Sequence, residues 1–122
     1  MTVRGVRGAT IVEADKSEAI LVATQELLQA ILEANPSLQT TEIASCIFTV
    51  SDDLKMAYPA QAAREMGWGD VPLMCAREIP VPGGLSRCIR VLIHWNTDLS
   101  QKEVRHVYLR EATSLRPDLA RY

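Results

Sequence analysis

From Cys88 to Asn96 the chain reads Cys-Ile-Arg-Val-Leu-Ile-His-Trp-Asn, an apolar run of β-branched and aromatic residues with a guanidinium inside it. Such a run favours a strand. Side chains on a strand alternate between faces, so Cys88, Arg90, Leu92 and His94 share one face while Ile89, Val91, Ile93 and Trp95 share the other. One face is built for a core. The other must accommodate Arg90, and burying an unpartnered guanidinium is expensive. Arg90 must therefore meet water, a protein carboxylate or an anionic ligand, and the pattern alone leaves a structural salt bridge as open as a ligand. The same embedding recurs at Arg7 in VRGVRGAT and at Arg105 and Arg116 in VRHVYLREATSLRPDL. Ten of the thirteen basic residues are arginine, the side chain whose rigid fork suits carboxylates and phosphates. A small polyanion is the expected ligand.

A chain of 122 residues is expected to form a single domain, residues 1–122, with one core. Its net charge of −2 gives no broad basic face of the kind nucleic acid requires, so no nucleic-acid partner is expected, and any positive field must be local. Cys46, Cys75 and Cys88 are odd in number and lack C-x-x-C spacing, which speaks against a disulfide framework or a zinc site. MTVRGVRGAT has no apolar signal core, and no apolar run has membrane-spanning length. The expectation is a soluble cytoplasmic protein without membrane contact.

The opening segment reads as a strand with Arg4 and Arg7 on opposite faces. A helix follows over about Ser17 to Ala34, with Ser17 as its expected cap, one stripe formed by Ile20, Ala23, Leu27, Ile31 and Ala34, and Asn35-Pro36 ending it. Ile43 to Val50 reads as a buried strand. Tyr58 to Met66 reads as a short helix with Pro59 in its first turn. Val71 to Ala76 reads as a short strand, with Pro72 marking either an edge strand or a strand beginning. After a Pro-Gly loop come the strand at 88–96, a turn at SQKE, a last strand over Val104 to Arg110, and a loose polar tail. The order β-α-β-α-β-β-β predicts an α+β fold, a mixed sheet covered on one face by the long helix. The nine large apolar residues between Ile89 and Tyr108 exceed what one helix can cover, so an oligomer using the bare face or edge is expected.

Taken singly, the polar residues fit ordinary roles. Glu78 fits a solvated loop carboxylate, Tyr108 a core or interface residue, and Arg116 an exposed charge. His94 and His106 fit sheet histidines, and the cysteines small buried hydrophobes. No nucleophile elbow, phosphate loop or dinucleotide fingerprint occurs. Anion recognition with electrostatics is what remains.

Five blocks in fixed order carry a resemblance: RGVRGAT at 4–10, AYPAQAARE at 57–65, VPLMCARE at 71–78, GGLSRCIRV at 83–91 and RHVYLREATSLRPDL at 105–119. Together they resemble the AroH class of monofunctional chorismate mutases along nearly the whole chain. The resemblance implies a homotrimeric pseudo-α/β barrel, with an active site in each cleft between subunits. It also implies the rearrangement of chorismate to prephenate, toward phenylalanine and tyrosine, with no cofactor and no metal. Carried over by position, Arg90 holds the ether oxygen and a carboxylate, and Arg7 and Tyr108 hold the side-chain carboxylate. Glu78 and the backbone at Cys75 take the C4 hydroxyl. Tyr58, Ala60, Leu73 and Met74 wall the pocket, and Leu115 and Arg116 close it from the tail. Two positions depart from the family pattern: Gln61 where lysine is common, and Tyr58 where phenylalanine is common. Rival functions are a related trimer hydrolysing imines or enamines and a non-catalytic module binding an amino acid between subunits.

Overall fold

A computed structural model of the chain describes residues 1–115. Five strands form one sheet: β1 (Thr2–Ile11), β2 (Ile43–Val50), β3 (Leu73–Arg77), β4 (Cys88–Thr97) and β5 (Val107–Tyr108). Their spatial order is β3-β2-β4-β1-β5. β4 is the hub, antiparallel to both β1 and β2, while β3 runs parallel to β2 and β5 parallel to β1. The sheet is therefore mixed, as the sequence predicts, and β3 is an edge strand.

The apolar alternation sets what each face does. Val6, Val12, Phe48, Ile89, Val91, Ile93 and Trp95 point to one side and are buried in a single core. Two helices cover that side. α1 (Ser17–Ala34) contributes Ile20, Ala23, Leu27, Leu28 and Ile31, and α2 (Pro59–Glu65) packs beside it with Ala60 and Ala63 in the same core. Cover by the long helix alone is thus corrected. The short helix shares the work because its alanines allow close approach and Trp68, just beyond it, fills the gap. α1 ends at Asn35 as expected, where Asn35 Nδ2 donates to the Ile31 carbonyl. Its start differs. Lys16 occupies the cap position and no side chain caps the helix, since Ser17 already lies inside the first turn.

The last strand is also shorter than predicted. The chain turns through Gln101–Glu103, closed by a reciprocal Ser100–Glu103 capping box. Asn35 then clamps it by accepting from the Arg105 amide and donating to the Arg105 carbonyl. Only Val107 and Tyr108 pair, alongside Gly8 and Ala9. Arg110 adopts φ 55°, which ends the strand and opens a short 3-10 turn over Arg110–Ser114. Most of the apolar residues between Ile89 and Tyr108 are covered within the chain itself. Leu92 is the exposed one, at 37%. No described helix is long and apolar enough to cross a membrane.

Candidate active site

Opposite the helices, the ladders align the uncovered face into rows. Arg7 pairs with Leu92, which pairs with Ile47, which pairs with Met74. One row along, Ala9 pairs with Arg90, Arg90 with Thr49, and Thr49 with Ala76. Directly paired residues on neighbouring strands present side chains to the same side. Two guanidiniums therefore stand one row apart over an apolar floor of Leu92 and Ile47. Tyr108, beside Ala9, closes one flank. Glu78 enters from the end of β3, its amide tied to the Val50 carbonyl at 2.9 Å.

These residues enclose a cleft of about 520 Å³, lined among others by Arg7, Thr49, Glu78, Arg90, Tyr108 and Leu115. Arg90 Nε lies 3.5 Å from Glu78 Oε2. The salt bridge left open by the sequence thus exists, and it lies in the cleft rather than in the core. Arg90 keeps 47% of its side chain exposed and lines the cleft. The strand below is fastened at its start. Asp53 accepts from the Arg87 amide through both carboxylate oxygens and from the Ser51 hydroxyl, whose oxygen accepts from the Cys88 amide. Arg87 at φ 48° also donates through Nε to the Val12 carbonyl. Burial alone would raise the Asp53 carboxyl, but the Ser51 hydroxyl and the Arg87 amide and charge together hold it below its usual value. Burial pushes the Cys88 thiol up, with the nearby Arg90 cation pulling the other way. Burial, aided by neighbouring Cys75, pushes the Cys46 thiol up to about 12. Neither is poised as a thiolate nucleophile.

Arg7, Glu78, Arg90, Tyr108 and Leu115 are brought together. Tyr58 and Cys75 line a different cleft of about 480 Å³, shared with Lys55, Gln61 and Arg77. Tyr58 is 71% exposed and Met74 is 61% exposed. Leu73 packs partly against the core, and Ala60 is buried inside it, neither lining the Arg7–Arg90 cleft. Gln61 donates to Glu65 along α2. Arg4 is spent on the Leu99 carbonyl, and Arg105 faces solvent away from the cleft. Arg116 lies outside the described residues. The bonds Cys46 N–H to Pro72 carbonyl and Glu78 N–H to Val50 carbonyl fix the parity of β3. Leu73, Cys75 and Arg77 consequently turn their main-chain groups off the sheet edge. The residue missed from sequence is Thr49. Its strand reads as uniformly buried, yet the alternation Cys46, Phe48, Val50 against Ile47, Thr49 was a signal that could have placed it on the open face.

The sequence matches the family described as chorismate mutase type I over residues 3–119. The chain belongs to that family. A protein named chorismate mutase AroH from Thermus thermophilus is 61% identical over 117 residues, spanning 96% of each chain. One of the same name from Bacillus subtilis is 44% identical over 121 residues, 98% of this chain and 94% of that one. Among solved structures, a chorismate mutase from Clostridium thermocellum superimposes with a TM-score of 0.87 at 48% identity, covering 90% of this chain and 97% of the other. Chorismate mutases act in aromatic amino acid biosynthesis as isomerases.

Proposed function

We propose that this chain converts chorismate to prephenate as a homotrimer in the cytoplasm, each Arg7–Arg90 cleft being completed by the Tyr58 surface of a neighbouring copy. One observation carries the reading. Two guanidiniums, a carboxylate and a tyrosine converge on one cleft over an uncovered apolar sheet face. Of the other expected wall residues, Met74 stands exposed on the same open face, while Tyr58 stands exposed at a separate cleft. Val3, Met74 and Leu92 on the open face, with Ile79 and Val81 in the adjoining loop, supply apolar surface for association.

Chorismate carries two carboxylates and reacts only when its enolpyruvyl arm folds over the ring. Arg7 and Tyr108 anchor one carboxylate and Arg90 the other, so the folded form is selected and its ordering entropy is met by binding. The C–O bond lengthens before the C–C bond is complete, and negative charge builds on the ether oxygen. Arg90, held rigid on the central strand, stabilises that charge more than it stabilises bound substrate, which is the kind of binding that raises kcat. Glu78 and the outward Cys75 backbone hold the C4 hydroxyl, and Leu115 lines the mouth. The rearrangement moves electrons within one molecule and needs no cofactor.

Loss of chorismate absorbance on mixing, with prephenate as the product, tests the activity. Binding of phenylalanine or tyrosine without chorismate turnover would instead favour the regulatory module. Analytical ultracentrifugation tests the assembly, a monomer at assay concentrations being the overturning result.

A further inference from the structure

Glu78 sits in the cleft with a second attachment that its expected role does not explain. Thr49 Oγ1 donates to Glu78 Oε2 at 2.5 Å, and this is the same oxygen that faces Arg90 Nε at 3.5 Å. Thr49 pairs directly with Arg90 across the β2–β4 ladder, so both contacts rise from one row of the sheet. We infer that Thr49 is a positioning residue for Glu78, holding its carboxylate by Oε2 so that Oε1 is presented to the substrate hydroxyl and Arg90 is kept from collapsing onto it. This rests on the chorismate mutase reading of the cleft.

The chemistry favours the assignment. A threonine side chain is stiff about χ1 in a strand, so its hydroxyl is a directional anchor. Its single proton goes to an ionised acceptor, which makes the bond charge-assisted. Glu78 follows the last residue of β3, and its side chain, 31% exposed, reaches Thr49 and Arg90 from just beyond the regular strand. With the Thr49 bond gone, the nearest remaining partner for the carboxylate is the Arg90 guanidinium. A closer Glu78–Arg90 pair would occupy donors that the ligand's carboxylate and ether oxygen require.

The test is a kinetic cycle on the full chain with chorismate: wild type, Thr49→Val, Thr49→Ser, Glu78→Ala and the Thr49→Val/Glu78→Ala double variant. Valine keeps the β-branched shape, and circular dichroism with thermal unfolding verifies that each variant folds. Thr49→Val is expected to lower kcat/KM on the order of 10- to 100-fold, the scale of a lost bond to a charged group. Thr49→Ser is expected to stay within about threefold of wild type, because it keeps the hydroxyl. In the Glu78→Ala background, adding Thr49→Val should change kcat/KM by less than about twofold, since the only route of its influence is gone. A residue that merely supports the strand, or touches substrate itself, would keep its effect in that background, and such additivity overturns the inference. Wild-type-like turnover of Thr49→Val does so as well. A wild-type chain that leaves chorismate unchanged defeats the function itself, which is a distinct outcome.

Discussion

Gly8 lies on β1 between Arg7, which reaches the cleft, and Ala9, and its inner side faces α1. A Cβ placed there would stand 2.8 Å from Ile31 Cδ1, 3.0 Å from Val91 Cγ1 and 3.3 Å from Leu27 Cδ1. Against an ordinary carbon contact of roughly 3.5 Å, the nearest overlap is about 0.7 Å. All three neighbours are buried in the main core, so either their side chains must leave their packed positions or the helix must move off the sheet. Gly8→Ala should cost about 1–3 kcal/mol. The tightest atom is the terminal methyl of Ile31, which Ile31→Val deletes at a cost of about 0.5–1.5 kcal/mol when made alone. Together the two changes should lose less than their sum, with a coupling of about 1 kcal/mol. Urea unfolding followed by fluorescence of the buried Trp68 and Trp95 reads this, at one fixed chain concentration because association shifts apparent stability. Turnover should fall alongside stability, since Arg7 precedes Gly8 and Val91 adjoins Arg90. A wild-type unfolding midpoint for Gly8→Ala, or strict additivity in the pair, would refute the close helix–sheet approach.

Arg90→Ala should lower kcat by at least about 10²–10³-fold in the chorismate assay, the usual cost of one preorganised donor. Arg90→Lys should also fail badly, because an ammonium cannot span ether oxygen and carboxylate together; near-wild-type rates in either would remove Arg90 from the chemistry. Asp53 is held below its usual carboxyl value, so its contribution to stability is present above the unfolded value near 3.8 and lost as pH falls through the folded one. Asp53→Asn should therefore flatten that acidic leg in urea midpoints taken across low pH, and an unchanged leg would count against the clamp on β4. Cys46, with its thiol pushed up to about 12, should resist alkylation in the native protein and react after unfolding, as mass spectrometry of labelled peptides can report. Rapid native labelling would contradict its burial.

What the sequence could reveal followed from short-range periodicity. Period two in β4 separated Arg90 from the core, and the helical stripe located α1 along with its stop at Asn35. Pro72 signalled an edge or a strand beginning, and β3 is an edge strand that begins directly after it. The misreadings came from contacts distant in sequence. Nothing local to Val104–Arg110 says that only two residues will find partners, because those partners are Gly8 and Ala9, nearly a hundred positions earlier. The alanines of α2 look unremarkable until Trp68 and α1 are placed beside them. Arg105 reads like Arg7, yet it is exposed outside the cleft lining, with its backbone bonded to Asn35. Thr49 shows the limit most clearly: its meaning depends on Glu78, which reaches it only through strand pairing.

The alternation along β4 also guards against misfolding. A slip of one residue in its pairing would drive Arg90 inward beneath α1 and expel Ile89, Val91 and Ile93 into water. Such a chain would forfeit its hydrophobic stabilisation and its anion grip in the same stroke. Selection for a correctly paired sheet and selection for a working cleft therefore pull on the same ten-residue rhythm, and neither can drift without the other.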